Sequence, residues 1–502
     1  MLVLNLMSLL ILECFISTIV AHEEKVPVWT QLVKPTSSAP TEVSTYPGPR
    51  SKSTVWMDSG KALAWMYGGI TGNPGYTSGC PSIKVCSDGV LLDELWLYNI
   101  LSDNWKLIQS GNSSNVPESR HSAVTCGQSD ENLMVLFGGY NSNNEVLSDT
   151  WIFDVINKYW HRRYYNSGRG ECSEHPEGRA AMLHWCTSDA LWILGGIDSD
   201  DNVLSDMWRF NFATGCWTRQ QTSVYSNDKP NLTISLRPQP DSPTWVLNDK
   251  ELIFLSNVTD DKIETKSNQT CELWTMSTDN LLWKPYKLTP QTHQTSVSHD
   301  NTYVKFLGDT PPCRISAASW VDENDNFWLF GGHRHIPRFI NRTSVYVCDI
   351  WLLETNNNTW IKWFQKKYTK VEKYLFQTVP SHLTVPTPRA HAMSWFYNGT
   401  LYLFGGESRN GDNDSVKYLN DFWRWHMGHP EAASRKLLLP PIGVFFVTLG
   451  ALCLLAVCVF GSIFVAKATS PQAPRLKPPT YNGKIKYSPV STTEDVLFEA
   501  YP

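Results

Sequence analysis

The chain has 502 residues, a formal net charge of −5 at pH 7, 22 tryptophans and 12 cysteines. This length is enough for a large hydrophobic core and for more than one region. A slightly acidic balance, without any run of five like charges, excludes the electrostatic pattern of a nucleic-acid-binding protein. The surplus of Trp indicates a fold whose bulk comes from large aromatic side chains.

The N-terminus has the features of a secretory signal peptide. Residues 2–12 form an apolar run, and Ala21 is a suitable residue for cleavage after it. Glu13 interrupts the apolar pattern, so a retained membrane anchor is the alternative. We predict a signal peptide over residues 1–21, followed by an ectodomain over residues 22–434.

One spacing recurs through this ectodomain, in which a Trp is followed nine positions later by a second Trp. An acidic residue stands two or three positions before the first Trp, as Asp149 does before Trp151. Upstream of four of the five pairs, an apolar run ends in Gly-Gly. A self-similar unit of this size indicates a repeat architecture. The pairs are Trp96 and Trp105, Trp151 and Trp160, Trp208 and Trp217, Trp274 and Trp283, and Trp351 and Trp360.

Each unit contains four short predicted strands. The first strand is led by Arg, the second ends in Gly-Gly, and the third and fourth hold the two Trp residues. Four such strands separated by turn residues describe one blade of a β-propeller. We expect the Arg side chains to form ion pairs inside the ring. They are Arg50, Arg120, Arg179, Arg314 and Arg389, and the Gly-Gly pairs lie at 68–69, 138–139, 195–196, 331–332 and 405–406.

A degenerate blade is predicted in the longest interval between Gly-Gly pairs, from 196 to 331. Residues 251–255 form its apolar run, and Ser256-Asn257 stand in place of Gly-Gly. Trp274 and Trp283 complete the unit. The count of blades is therefore six.

The last unit lacks a second Trp, whereas an isolated Trp29 lies near the predicted start of the mature chain. We predict that Val28-Trp29-Thr30 supplies the missing outer strand. Closure of the ring by the N-terminus would remove the exposed sheet edges of an open stack of blades.

These motifs resemble those of the kelch family of β-propellers over about residues 28–427. The resemblance implies an all-β disc of six or seven blades that is built for binding. An extracellular kelch ring on one membrane span is loosely similar to the attractin group, although the EGF-like, CUB and lectin modules of that group are missing. One kelch relative, galactose oxidase, is a copper enzyme, but its linked Tyr–Cys pair does not map onto this sequence. We predict a binding protein without a cofactor, and a membrane-tethered oxidase of that type is the alternative.

The predicted connections differ between the two faces of the disc. Strands alternate in direction, so the first-to-second and third-to-fourth turns share one face, the short-loop face. All other connections share the long-loop face, and loops of more than about 12–15 residues are usually functional or disordered. We predict that a protein or glycan ligand binds the long-loop face; the alternative is that these loops only cover the ring. They span 70–92, 162–178, 218–236, 284–312, 333–347 and 362–388.

His333 and His335 follow a Gly-Gly pair on the long-loop face. Two His at this spacing could hold a metal ion, and the alternative is a solvated loop. No hydrolase, metalloprotease or kinase signature is present, so we predict no catalytic residue.

The nine cysteines of the ectodomain are an odd number, which leaves at least one unpaired or paired between chains. Cys80 and Cys86 lie in one long loop, and we predict a disulfide between them, with a metal site as the alternative. The other seven are not assigned to partners. They are Cys126, Cys172, Cys186, Cys216, Cys271, Cys313 and Cys348.

Eight Asn-x-Ser/Thr sequences lie in predicted loops or at strand ends, and none lies in the tail. Such positions suit N-glycosylation of a surface protein. The residues are Asn112, Asn231, Asn257, Asn268, Asn341, Asn357, Asn398 and Asn413.

Residues 441–466 contain no charged side chain and are long enough to span a bilayer of about 30 Å. Basic residues are more numerous after this stretch than before it, which predicts a cytoplasmic tail. We therefore predict a juxtamembrane segment and transmembrane helix over 435–466 and a tail over 467–502. The chain would be a single-pass type I protein of the plasma membrane or an endomembrane.

The tail contains two short motifs. Pro478-Pro479-Thr480-Tyr481 is similar to the Pro-Pro-x-Tyr ligand of WW domains, including those of Nedd4-type ubiquitin ligases. Tyr487 to Val490 is similar to the Tyr-x-x-Φ sorting signal that clathrin adaptors bind. A plain disordered tail is the alternative.

Overall fold

The computed structural model describes residues 28–33, 46–72, 89–109, 115–164, 172, 174–225, 236–256, 258–259, 271–289, 294–297, 303–307, 310–335, 344–365, 385–409 and 416–426. Within these ranges the chain forms β-strands and turns and no α-helix, so no helix of this part is long and apolar enough to cross a membrane. The predicted signal peptide, membrane span and tail lie outside the described residues.

Six antiparallel sheets form six blades, which confirms the predicted all-β propeller. Blade one contains β2 (Thr54–Asp58), β3 (Leu63–Tyr67), β6 (Leu95–Asn99) and β7 (Asn104–Gln109). Blade two contains β8 (Val124–Gln128), β9 (Leu133–Phe137), β10 (Thr150–Asp154) and β11 (Tyr159–Arg163). Blade three contains β12 (Leu183–Cys186), β13 (Ala190–Leu194), β14 (Met207–Asn211) and β15 (Cys216–Gln220).

The degenerate unit is a complete blade four, as predicted. It contains β18 (Thr244–Leu247), β19 (Glu251–Ser256), β21 (Glu272–Ser277) and β22 (Leu282–Pro285). Blade five contains β25 (Ala318–Val321), β26 (Phe327–Phe330), β29 (Ile350–Glu354) and β30 (Thr359–Gln365). Blade six contains β31 (Met393–Tyr397), β32 (Thr400–Phe404), β35 (Phe422–His426) and β1 (Val28–Val33).

Further strands extend this plan at the outer edges of two blades and on the long-loop face. Blade four gains β16 (Ser223–Val224), which pairs in parallel with β22, and blade five gains a hairpin of β23 (Gln294–Val297) and β24 (Tyr303–Leu307) beside β30. Short two-stranded sheets lie next to the ends of four of the second strands. They are β4 (Ile70–Gly72) with β5 (Gly89–Leu91), β17 (Arg237–Pro238) with β20 (Val258–Thr259), β27 (His333–His335) with β28 (Ser344–Tyr346), and β33 (Glu407–Arg409) with β34 (Val416–Tyr418).

The N-terminal strand closes the ring, as predicted from the isolated Trp. Strand β1 pairs with β35 in antiparallel register, with Trp29 opposite Trp425. The Trp29 ring is 7% exposed and lies 5.0 Å from the ring of Phe330 in blade five. The outer strand of blade six thus also packs against its neighbouring blade.

The hydrophobic core is divided among the blade interfaces. Six clusters of buried side chains are present, and each combines residues from two neighbouring blades. The cluster between blades one and two, for example, joins Trp56 and Trp65 to Trp151 and Trp160. The Trp pairs are therefore packing residues between blades, as their repetition indicated.

Replacement of Trp29 by Ala should lower the free energy of unfolding by about 3–5 kcal/mol, because it leaves a cavity between blades five and six. The matched control is Leu101→Ala, since Leu101 is 79% exposed. Urea denaturation of the purified chain, followed by circular dichroism, measures both changes. Equal denaturation midpoints for the two variants would show that β1 does not support the ring.

Candidate functional site: the mouth of the central channel

A cavity of about 280 Å³ lies between the six first strands. Each blade contributes one lining segment, and the segments begin on the long-loop face. We call the end of the cavity on that face the channel mouth. The lining segments are 52–55, 122–124, 181–184, 241–244, 316–319 and 391–394.

Six residues around the channel mouth have left-handed backbone conformations, with φ between 52° and 55°. The backbone N–H of each donates to the C=O of the corresponding residue in the preceding blade, at 2.7–3.3 Å. The last bond, from Lys52 to His391, closes the circle. This conformation is uncommon for residues other than Gly, and the circle of hydrogen bonds holds it in place. We call these residues the belt: Lys52, Ser122, Ala181, Asp241, Ser316 and His391.

A buried ion pair fixes the chain just before the belt in five of the blades, as predicted for the leading Arg. In blade two, Arg120 donates to both carboxylate oxygens of Asp149, at 2.6 and 2.8 Å, and to the carbonyl oxygen of Gly138 at 3.0 Å. The indole N–H of Trp151 donates to the same carboxylate. We call this arrangement the clamp. The same arrangement pairs Arg179 with Asp206, Arg314 with Asp349, and Arg389 with Asp421. Blade one has a reduced clamp, in which Arg50 contacts one carboxylate oxygen of Glu94.

The carboxylates of the clamps are ionised. Burial disfavours the charged form of Asp349, but the charge of Arg314 and the hydrogen bonds from Arg314 and Trp351 outweigh it, and the pKa of this carboxyl is about 2. The pKa of Asp149 is lowered in the same way by Arg120. The clamps therefore keep their charges across the physiological pH range.

Blade four lacks the clamp, because its degenerate sequence does not contain the leading Arg. Gln239 stands where the other blades have Arg. Its backbone N–H donates to the hydroxyl of Ser256 at 2.8 Å, and Ser242 donates to the same hydroxyl at 2.9 Å. Within the described residues, the buried indole N–H of Trp274 has no hydrogen-bond acceptor.

The Gly-Gly pairs are required by the approach of the next blade. Gly138 has φ +69°, and a Cβ at this position would lie 2.5 Å from the carbonyl oxygen of Arg179. The N–H of Gly139 donates to that carbonyl at 2.9 Å. These glycines therefore serve backbone geometry, because a side chain here would clash with the neighbouring blade.

Charged side chains converge on one side of the channel mouth. The imidazole of His391 lies between two carboxylates, 3.9 Å from Asp241 and 3.8 Å from Glu407. Glu407 is 8% exposed and accepts hydrogen bonds from the hydroxyls of Ser51, at 2.9 Å, and Tyr346, at 3.0 Å. Blades one, four, five and six therefore meet in one polar cluster.

The ionisation of this cluster follows from its burial. Burial lowers the pKa of His391, although Glu407 opposes the shift, so the imidazole is neutral at pH 7. Burial also disfavours the charged form of Glu407, but nearby His391 and Lys52 and the two hydroxyl donors hold the pKa of this carboxyl at about 2. Glu407 is therefore ionised and held by hydrogen bonds.

Two belt residues carry unlike charges, and both lie near the polar cluster of His391 and Glu407. Lys52 belongs to blade one and Asp241 to blade four, which are three blades apart in a ring of six. Uncharged Ser122, Ala181 and Ser316 lie between them along the belt. This arrangement suits a ligand that carries polar groups or both signs of charge.

Two further histidines lie beside the channel. Burial lowers the pKa of His121 to about 3, with Lys52 and His391 acting in the same direction. The ring of His121 lies 5.4 Å from that of Tyr140. Burial alone lowers the pKa of His184 to about 4. Both imidazoles are therefore neutral at pH 7 and become charged only in acid.

The pair of histidines predicted as a possible metal site is part of β27. The His333 ring lies 5.6 Å from that of Tyr346, and the side chain of His335 lies outside the description. Among the described residues, no group of three or more His, Cys, Asp or Glu side chains is arranged to hold a metal ion.

The structure describes only two of the predicted modification sites. Asn357 lies in the β29–β30 turn and Asn398 in the β31–β32 turn, both exposed on the short-loop face. The remaining predicted residues lie outside the described residues. They are Cys80, Cys86, Asn112, Asn231, Asn257, Asn268, Asn341, Asn413, Pro478, Pro479, Tyr481, Tyr487 and Val490.

Three disulfides connect cysteines that the sequence left unassigned. One joins the first strands of blades two and three, one ties a connecting segment to β15, and one joins the segments that precede β21 and β25. Cys348 is unpaired within the described residues, and burial raises the pKa of its thiol to about 12. The pairs are Cys126 with Cys186, Cys172 with Cys216, and Cys271 with Cys313.

The fold and the clamps define a six-bladed β-propeller with a repeated Arg–carboxylate ion pair in five blades. Residues 84–306 match the KLHDC2/KLHL20/DRC7 kelch-repeats domain. This match and the six blades support the kelch-repeat β-propeller family that the sequence resembles, which confirms that resemblance.

Several curated proteins are similar to this chain. Host cell factor of Drosophila melanogaster is 22% identical over 347 residues, which cover 67% of this chain and 19% of that protein. Dynein regulatory complex subunit 7 of Chlamydomonas reinhardtii is 31% identical over 106 residues, covering 21% of this chain and 7% of that protein. Kelch domain-containing protein 1 of Mus musculus is 27% identical over 145 residues, covering 28% and 32%. The chain thus spans at most 32% of the length of these relatives.

The lowered pKa values of the half-buried histidines lead us to predict that acid destabilises the propeller. Between about pH 6.5 and pH 4 the unfolded chain binds a proton at His184 and the folded chain does not, so stability falls as the pH falls through this window. Between pH 8 and pH 4.5 the wild-type chain loses free energy of unfolding. Replacement of His184 by Gln should reduce this loss by on the order of 2 kcal/mol. Urea denaturation midpoints across this range measure it, with exposed His175→Gln as the control. Identical pH dependence in wild type and H184Q would contradict the assignment.

Proposed function

We propose that this protein is a type I membrane protein whose kelch propeller binds a protein or glycan ligand on the long-loop face. The channel mouth anchors the ligand, and the predicted tail connects binding to endocytosis or ubiquitination. Kelch-repeat proteins are mostly interaction proteins rather than enzymes, which supports binding over catalysis.

The observation that carries this proposal is the difference between the two faces of the propeller. The channel mouth, the belt and the short two-stranded sheets all lie on the long-loop face. Val28 and His426 pair with each other at the opposite, short-loop end of blade six. The chain therefore enters and leaves the described propeller away from the channel mouth, and a tether that starts after His426 starts from the short-loop face.

A location outside the cytosol is supported by the cysteines. Three disulfides within one propeller are typical of proteins that mature in an oxidising compartment. The predicted signal peptide and membrane span agree with that compartment. Asn357 and Asn398 lie in exposed turns that a glycosylating enzyme could reach. We infer a plasma-membrane or endomembrane glycoprotein with the propeller on the outer or lumenal side.

Charge reversal at the channel mouth tests where the ligand binds. Lys52→Glu and Asp241→Lys should each lower ligand capture about tenfold, because they place like charge against the matching group of the ligand. The measurement is proximity labelling on intact cells that express the full chain fused to a labelling enzyme. Asp279→Lys, in an exposed turn of the short-loop face, is the matched control. Loss of the labelled partner in D279K, together with its retention in both mouth variants, would show that the ligand binds the short-loop face instead.

The tail motifs are tested by surface lifetime. Tyr481→Ala removes the WW-domain ligand, and Tyr487→Ala removes the sorting signal, so each should lengthen the surface half-life about twofold or more because one route of removal is lost. The double variant should have the longest half-life. Antibody uptake on cells that express the full chain measures all four proteins. Four equal half-lives would leave the tail without a trafficking role.

A further inference from the structure

The blades differ in whether a further strand pairs with their outermost strand. In blades four and five, additional strands pair with the outermost strand, β16 with β22 and β24 with β30. In blade two, β11 is the outermost strand, and within the described residues its backbone pairs only with β10. Within the described part of the chain, one side of β11 therefore presents backbone N–H and C=O groups that pair with no other strand, the usual template for an added strand.

Exposed apolar side chains lie on β11 and on the residues beside it. Tyr159 is 52% exposed and Tyr164, directly after the strand, is 75% exposed. Ile156, in the turn before the strand, is 67% exposed. Three of the eight large hydrophobic side chains that are exposed in the described residues thus lie within nine positions of one another. Tyr159 lies at the start of β11 and Tyr164 just past its end, so exposed apolar side chains are available at both ends of this edge.

This edge is also basic, although the chain as a whole is acidic. Lys158, Arg162 and Arg163 are positively charged, and no acidic residue occurs from 155 to 164. The Arg162 guanidinium lies 5.4 Å from the ring centre of Tyr164, and no described carboxylate lies within ion-pair distance of it. The Arg163 guanidinium is less available to a partner, because it already donates a hydrogen bond to the carbonyl oxygen of Gly215 in blade three. A partner that reaches this edge meets positive charge and aromatic rings together.

We propose that the outer edge of blade two is a second binding surface, which takes an extended acidic peptide segment of a partner protein as an additional antiparallel or parallel strand. The peptide backbone fills the unpaired hydrogen-bonding groups of β11. Its acidic side chains contact Lys158 and Arg162, and its apolar side chains pack on Tyr159 and Tyr164. Blades four and five show that an added strand fits the outer edge in this fold. This surface lies on the rim and is independent of the channel mouth.

The test uses the full chain in detergent and three synthetic nine-residue probes. The first alternates Glu with Val, the second alternates Lys with Val, and the third is the first with two central Val replaced by Pro. Proline removes backbone donors and keeps the charge, so it blocks strand addition without weakening simple charge attraction. A sulfated heparin oligosaccharide is the probe for a polyanion site.

Two readouts define the expected result. Fluorescence anisotropy should show binding of the Glu-Val probe and at least about tenfold weaker binding of the Lys-Val and proline probes. Hydrogen–deuterium exchange should show slower exchange of backbone amides within 159–163 when the Glu-Val probe is bound, because its strand covers them. Arg162→Glu should weaken binding of that probe about tenfold. Arg219→Glu, which reverses an exposed charge on the outer strand β15 of blade three, should leave it unchanged.

Other outcomes would overturn the proposal. Equal binding of the Glu-Val and proline probes, or binding of the heparin oligosaccharide alone, would indicate a polyanion site without strand addition. Self-association of the chain through residues 159–163 would make a second copy the occupant. Absence of Glu-Val binding at millimolar concentration, or equal loss in R162E and R219E, would leave β11 without the proposed role. Thermal unfolding of both variants shows that they remain folded.

Discussion

The Arg–carboxylate clamp is the interaction on which the rest of the propeller depends. One guanidinium joins the start of the first strand, the Gly-Gly end of the second strand and the acidic residue that leads into the third strand. Removal of one partner from a buried ion pair typically costs about 3–5 kcal/mol, since the remaining charge is left without compensation. The clamp also sets the position of the belt in five blades, because the belt residue there follows its Arg by two positions. In blade four, where Gln239 replaces Arg, the belt hydrogen bonds of Asp241 to the neighbouring blades keep the same geometry.

Much of the fold could be predicted because its determinants are local and repeated. A Trp nine positions after another identifies a hairpin of the third and fourth strands, and Trp151 and Trp160 occupy those strands in blade two. The isolated Trp29 was sufficient to predict closure, since a ring needs an outer strand for its last blade. Blade four was found by spacing despite its missing Arg, because the apolar run and the Trp pair are kept when the clamp is lost.

The channel mouth could not be predicted, because its residues share a backbone conformation and not a chemistry. Lys52, Ala181 and His391 are equivalent in the belt, yet nothing in their side chains indicates it. The residue two positions after each leading Arg belongs to the belt, so the sequence could have located these five belt residues. It could not have shown that they form a circle of hydrogen bonds. The disulfides were missed for a similar reason: Cys126 and Cys186 are far apart in sequence and meet only because blades two and three are neighbours. The strands added to blades four and five lie in long connections whose sequence has no repeat to compare.

Closure by β1 has a consequence for how the chain is made. The strand that is synthesised first belongs to the blade that is synthesised last, so β1 has no partner until β35 has emerged from the ribosome. Contacts between distant parts of a sequence form slowly, because a long loop must close before they are gained. Throughout synthesis the nascent ring is an open arc, with an unpaired N-terminal strand and an uncovered face on its newest blade. The growing chain therefore keeps β1 unpaired throughout synthesis, and the ring closes only when the last strand of the propeller is complete.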